Sequence, residues 1–301
     1  QRLGLSTINK PPDHYGLSLI LGGAEANLLD ITNTYACMGR TLGAFYDRNG
    51  RYARDDFRSP NFLKRRTNNK QPTTNNKQQL TTSNDLLSAG AIWHTFQAMR
   101  EVERPNSTGD WELFRASQPI AWKTGTSFGF RDAWAAGVTP RYAVGVWVGN
   151  ADGEGRPGLI GVEFAAPVLF EIFEQLPQDG RWFDPPYDDM VLAPVCKQSG
   201  FRAGEYCEAD TTWIPQSGLK SSVCQHHQLL HLDATAQWQV NSDCESPSNM
   251  QHRPWFVLPP IEEYYFKSKN PWYLSPPPFR ADCAGTQSAQ RQTPMQLIYP
   301  K

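Results

Sequence analysis

The apolar positions of this chain recur with two different periods, and each period predicts a different kind of element. Leu28, Leu29, Ile31, Thr32, Tyr35, Ala36 and Met38 return every three to four residues, the spacing of one helical face, and predict a helix ending near Gly39. The stretch before it, Leu19–Glu25 (LILGGAE), reads as a turn. A second helical stripe runs through Leu86, Leu87, Ala91, Ile92, Phe96, Met99 and Val102, with Ser83 or Asn84 as its cap and Pro105 as its stop. The period then changes. Ile120–Ser127, Asp132–Thr139 and Tyr142–Gly149 are short runs joined by tight connections around Gly129 and Pro140, which predicts an antiparallel meander. Ala165–Leu176 closes the series as a helix with Val168, Leu169, Ile172 and Phe173 facing inward and Pro177 ending it.

Between and after these elements the pattern fades. Residues 67–82 are polar, repetitive and nearly free of apolar side chains; they cannot bury enough surface to order themselves and read as an insertion. From residue 179 to Cys283, proline, tryptophan and cysteine alternate with short polar turns, predicting an irregular, cysteine-rich extension. Residues 284–301 read as a linker, with Met295–Pro300 as the first strand of a further domain. The division expected is therefore 1–178, 179–283 and 284–301. The fold class is α+β, an antiparallel sheet with packed helices followed by the extension.

Composition narrows the function without naming it. The 301 residues hold 39% hydrophobic residues, enough for a sizeable core, while 24 prolines and 23 glycines point to a loop-rich chain. A net charge of -1 excludes a nucleic-acid binder held by a broad basic surface. No run of about 18 apolar residues occurs. The opening residues read as the interior of a domain, so a preceding segment is expected.

Five of the six cysteines fall between residues 196 and 283. Clustered cysteines in a loop-rich segment suit an oxidising compartment. The pairs expected are Cys196 with Cys207 and Cys224 with Cys244, leaving Cys283 over. Cys224, His226, His227 and His231 also lie close together, but there is no C-x-x-C knuckle and adjacent histidines rarely ligate one ion. The expectation is no metal and no cofactor.

Lys123-Thr124-Gly125, inside the first predicted strand, carries the chemistry. Acyl transfer on a peptidyl substrate needs a wall strand offering a cation to a carboxylate, a gap where the substrate backbone comes close, and an N–H for the oxyanion. Lys123 is the candidate catalytic cation, Gly125 the gap and Thr126 the donor. Alternation along a strand turns Thr124 to the other side, toward the sheet interior. Trp134 and Trp147 read as core, and Asp132 as a turn cap or a partner of Arg131.

The run Trp122–Ser127, followed by Arg131-Asp132-Ala133-Trp134, Gly137-Val138-Thr139-Pro140 and Val146–Asn150, resembles the Lys-Thr-Gly strand region of bifunctional class A penicillin-binding proteins. Gly22-Gly23-Ala24-Glu25 with the Tyr35-Ala36 helix is similar to the segment that precedes it there, and Ala165-Ala166-Pro167 to the closing helix. The phrases Thr126–Trp134 and Val240–Pro259 are most like the 1C subfamily. The resemblance implies the C-terminal half of a transpeptidase domain of serine β-lactamase-like fold, catalysing D,D-transpeptidation in peptidoglycan synthesis. It implies Lys123 as catalytic, and Thr124, Gly125 and Thr126 as substrate-binding. It implies stem peptides as substrates, β-lactams as acylating ligands and the upstream half of the same protein as partner. It implies a periplasmic location, and a membrane anchor and glycosyltransferase domain outside this chain.

The family's Ser-x-x-Lys and Ser-x-Asn signatures would lie before Gln1, so the nucleophile is not assigned. Ser217-x-x-Lys220 and Ser59-Pro60-Asn61 match the patterns but stand in the wrong order or context. Two other readings stay open. The chain could be a catalytically silent module that docks an envelope protein through its cysteine-rich part. A soluble serine β-lactamase shares the Lys-Thr-Gly strand, but the Trp/Pro-rich extension fits it poorly.

Overall fold

The computed structural model describes residues 3–53, 55–60, 80–81, 86–102, 118–177 and 179–283. Most of the polar run 67–82, the caps Ser83 and Asn84, Pro105, Asn61 and the tail 284–301 lie outside them. The described chain forms two compact units. One comprises the residues up to Val191 with Ile214–Ser217; the other comprises Leu192–Trp213 and the residues from Gly218 on.

The first unit is built around a three-stranded sheet. A single helical turn, α1 (Pro12–Tyr15), precedes the long helix α2 (Leu28–Phe45). The Asn27 side chain caps α2 by accepting from the Asp30 N–H at 2.7 Å. The Asp30 carboxylate in turn accepts from the Ser6 N–H and hydroxyl, which hold its pKa below the ordinary carboxylate range. Helix α2 runs past Gly39, where the sequence predicts its end. A Cβ at Gly39 would stand 3.2 Å from Val138 Cγ2 and 3.6 Å from Phe183 Cζ, so this glycine serves close packing and not termination.

Next come the two-residue strands β1 (Tyr52–Ala53) and β2 (Leu80–Thr81), paired antiparallel, and helix α3 (Ala89–Arg100). Three side chains receive the first N–H groups of α3. Tyr52 Oη accepts from Ala89 at 2.8 Å, Asp189 Oδ2 from Gly90 at 2.7 Å and Ser88 Oγ from Ala91 at 3.3 Å. Ser88 is the cap because the helix begins later than its apolar stripe implied, and Val102 beyond its end is exposed.

Strands β3 (Ala121–Thr126), β4 (Asp132–Val138) and β5 (Ala143–Gly149) form an antiparallel meander in the order β3-β4-β5, as predicted. Alternation divides the sheet between two cores. Ala121 and Val138 join Met38, Leu42, Phe45, Ile92 and Phe96 of α2 and α3. Trp122, Ala133, Ala135 and Val146 join Ala165, Ala166, Leu169 and Phe173 of α4 (Gly161–Gln175). The sheet is thus the middle of three layers. Helix α4 starts four residues before the predicted Ala165, with Pro167 inside it. That start sets which stripe faces the sheet. Ala165, Leu169 and Phe173 lie four apart on the buried line, whereas Val168 and Ile172, predicted inward, sit one position round and are 40% and 37% exposed.

The second unit is more regular than an irregular extension. Strands β6 (Met190–Cys196) and β7 (Ala209–Pro215) pair with each other, and the second unit holds Leu192–Cys196 of the one and Ala209–Trp213 of the other. Strands β8 (His227–Leu232) and β9 (Gln251–Phe256) pair antiparallel from His227↔Phe256 to Leu232↔Gln251. Helix α5 (Pro260–Lys269) follows. Its core is small: Leu230, Leu232, Val240, Phe256 and Tyr273, with Phe266 packed edge-on to both Phe256 and Tyr273.

Candidate functional site

Strand β3 is an outer strand among the described residues, paired only with β4. Its inner half, Ala121 and Trp122, is buried, and its outer half emerges to solvent at Lys123, Gly125 and Thr126. The register pairs Lys123 with Ala136, Thr124 with Ala135, Gly125 with Trp134 and Thr126 with Ala133. Lys123 and Gly125 therefore share the sheet face of Ala121, while Thr124 and Thr126 share the α4 face of Trp122. The Lys123 ammonium is exposed and donates to the Thr124 carbonyl at 2.6 Å.

Gly125 is uncrowded. A Cβ there would meet only Trp134 Cβ, at 3.7 Å, which is ordinary contact. Nor does its backbone take the positive φ that demands glycine. Among the described residues neither packing nor backbone conformation requires a glycine at 125, in contrast to Gly161. A Cβ at Gly161 would lie 2.5 Å from the Gly125 carbonyl oxygen and 2.7 Å from that of Trp134. This close approach brings the start of α4 against the exit of β3, where the Gly161 N–H donates to Thr126 Oγ1 at 3.0 Å. The Thr126 hydroxyl is thereby held on the α4 side of the strand.

The turn from β3 to β4 is fixed by Ser127, whose N–H donates to the Asp132 carbonyl at 3.0 Å and whose Oγ accepts from the Asp132 N–H at 2.8 Å. Gly129 and Phe130 take positive φ there, of 78° and 56°. Asp132 neither caps this turn with its side chain nor pairs with Arg131. Its Oδ1 accepts from Trp147 Nε1 at 2.8 Å, tying β4 to β5. Of the two signature look-alikes, Ser217 and Lys220 are exposed on a 3-10 turn, and the Ser59 pattern runs out of the described residues at Asn61.

The cysteines arrange themselves differently from the expected pairs. Cys244 is bonded to Cys283, with a Cα–Cα separation of 5.3 Å, while Cys196, Cys207 and Cys224 carry no disulfide. Arg280 braces the bonded pair, donating to the Glu245 carboxylate at 2.8 Å and to the Cys244 carbonyl at 2.5 Å. The three remaining sulfurs converge on one histidine. His227 Nδ1 stands 3.5 Å from Cys196 Sγ, 3.4 Å from Cys207 Sγ and 3.5 Å from Cys224 Sγ. Of the four residues noted together in the sequence, only Cys224 and His227 take part. His226 packs against Phe201 and Phe256, and His231 faces His252 across β8 and β9. The spacing Cys224-x-x-His227 was the available signal, a knuckle with histidine in place of the second cysteine.

No family model matches this chain. Among curated proteins it is 34% identical to penicillin-binding protein 1C of Escherichia coli strain K12, over 172 residues that make up 55% of this chain and 19% of that protein. It is 25% identical to penicillin-binding protein 1A of Clostridium perfringens, over 44% of this chain and 17% of that protein. Each match spans less than a fifth of the relative's length. Among solved structures, penicillin-binding protein 1A from Haemophilus influenzae aligns with a TM-score of 0.41 and 15% identity, over 72% of this chain and 36% of that one.

Proposed function

Starting from the kinship of this chain with the C-terminal portion of penicillin-binding proteins, we propose that its first unit supplies the Lys-Thr-Gly wall of a peptidoglycan D,D-transpeptidase site. The nucleophilic serine comes from another part of the complete protein. That serine attacks the penultimate D-alanine carbonyl of a stem peptide, an ester forms, and the terminal D-alanine leaves with the proton its amine acquires. An amine from a neighbouring strand then attacks the ester, forms the crosslink and returns the serine hydroxyl.

In this scheme the Lys123 ammonium faces the terminal carboxylate of the substrate and helps the serine lose its proton. Gly125 admits the substrate backbone beside Lys123. Thr126 contributes its backbone N–H to the oxyanion, while its hydroxyl, whose oxygen receives the Gly161 N–H, lies on the α4 side of the strand. Thr124, on the α4 face, lines the base of the wall and sets its register. Penicillins acylate the same serine, and the complete protein works in the periplasm on an anchor to the inner membrane.

The observation that carries this reading is the pairing of an exposed lysine with a glycine that no neighbour among the described residues requires. A side-chain-free position without an internal cause, next to a cation on an outer strand, fits a surface left open for a ligand. The test is acylation of the complete protein by a fluorescent penicillin. Lys123→Ala abolishes labelling and Lys123→Arg restores part of it; undiminished labelling of Lys123→Ala overturns the proposal.

A further inference from the structure

We propose that Cys196, Cys207, Cys224 and His227 bind one zinc ion, as a closed four-ligand structural site in the second unit. The four ligand atoms lie within 4.8 Å of one another. Tetrahedral zinc, with Zn–S of about 2.3 Å and Zn–N of about 2.0–2.1 Å, has S···N edges of about 3.5 Å. The three S···Nδ1 distances here are 3.5, 3.4 and 3.5 Å. Three cysteines and one histidine form a common donor set for structural zinc, and it leaves no position for a water or substrate.

The surroundings fit ligands rather than idle thiols. His227 Nε2 lies 2.8 Å from Gln198 Oε1, so the proton of the imidazole belongs on Nε2 and Nδ1 presents its lone pair to the sulfurs. Each sulfur has its own donor. The Ser199 N–H points to Cys196 Sγ at 3.5 Å, the Gly204 N–H to Cys207 Sγ at 3.2 Å and the Ser199 hydroxyl to Cys224 Sγ at 3.1 Å. Such donors stabilise thiolate charge, the form that remains when zinc displaces the thiol protons. Cys196 and Cys224 are 1% and 7% exposed.

The chain context supplies a reason for the ion. Cys196 ends β6, Cys207 precedes β7, and the Cys224–His227 knuckle opens β8. Zinc would lock the β6–β7 connection to the entry of β8 in a unit whose apolar core is small. Cys244 and Cys283, joined to each other, are not available to the ion.

The test uses the untagged chain purified under reducing conditions, with metal content measured as isolated and after chelation and titration with zinc chloride alone. One zinc per chain is expected, and cobalt(II) in its place should give the sulfur-to-metal absorption of a thiolate site. His227→Ala loses the metal, His227→Cys retains it as a four-cysteine site, and Gln198→Ala weakens binding by about 10–100-fold. His231→Ala leaves it unchanged. If His227→Ala fails to fold, the His227→Cys variant and the parent stoichiometry still decide. No zinc after reconstitution, full binding by folded His227→Ala, iron or copper in place of zinc, or a disulfide among the three cysteines in the isolated chain would each overturn the proposal.

Discussion

The Gly161 N–H donates to the Thr126 hydroxyl oxygen at 3.0 Å, which makes the exit of β3 and the first residue of α4 one hydrogen-bonded piece. Thr126→Val keeps the backbone N–H and the side-chain shape but removes the acceptor. It should cost about 1 kcal/mol of stability and change penicillin acylation of the complete protein by no more than a few-fold. Chemical denaturation and labelling rates measure the two effects separately. A large loss of acylation in a stably folded Thr126→Val would transfer the substrate role from the N–H to the hydroxyl.

Gly161 itself bears the steric load of that joint. Alanine there would bring a methyl group to 2.5 Å from the Gly125 carbonyl oxygen, which is backbone and cannot swing aside. Helix α4 must shift off the sheet, at a cost of about 1–3 kcal/mol. Urea denaturation reads this directly, and a Gly161→Ala chain as stable as the parent would contradict the packing described. Gly125→Ala, by contrast, should leave stability within about 0.5 kcal/mol while impairing acylation.

Asp56 holds the turn after β1 from inside. Its carboxylate pairs with Arg48 at 2.6 Å and accepts from the Ala53 N–H at 3.1 Å, and its side chain is 2% exposed. Removing one partner of such a pair strands the other, so Asp56→Ala should cost about 3–5 kcal/mol. Replacing both, as Asp56→Ala with Arg48→Met, should recover part of the loss in a double-mutant cycle.

Burial holds the Tyr52 phenol above its ordinary pKa; the Ala89 N–H opposes this, while the nearby Asp189 and Asp56 carboxylates reinforce it. The unfolded chain then releases this proton at a lower pH than the folded chain, near the ordinary tyrosine value of about 10. The contribution of Tyr52 to stability is complete below that pH and declines as pH rises toward the folded value. Thermal melts from pH 8 to 11 should show a falling midpoint, and Tyr52→Phe should flatten the slope. An equally steep decline in the variant would assign the effect to other groups.

The elements near the proposed wall were legible because one physical rule, alternation about a half-buried sheet, fixes them. Lys123 and Gly125 on one face, Thr124 on the other, and three short strands in a meander all follow from period two. The helices were legible in kind and less so in phase. Gly39 looks like a stop until Val138 and Phe183 are seen to press against it, and Val168 looks as apolar as Leu169 until the true start of α4 sets the rotation.

The second unit was the least legible. Strand β7 (ADTTWIP) is mostly exposed and carries no apolar alternation, so only its pairing with β6 reveals it. The three free sulfurs and His227 come from separate segments whose meeting depends on tertiary structure. Sequence order favoured joining neighbours, Cys196 with Cys207, where the fold joins Cys244 to the distant Cys283.

The outward margin of β3 has a consequence for handling the protein as well. An outer strand offers a ladder of backbone donors and acceptors to any second copy that drifts alongside, and a lysine at its midpoint is a common guard against such self-association. Among the described residues Lys123 thus stands where a charge would oppose such pairing. Its neutral variants should show concentration-dependent light scattering that Lys123→Arg does not, a behaviour separable from any change in acylation.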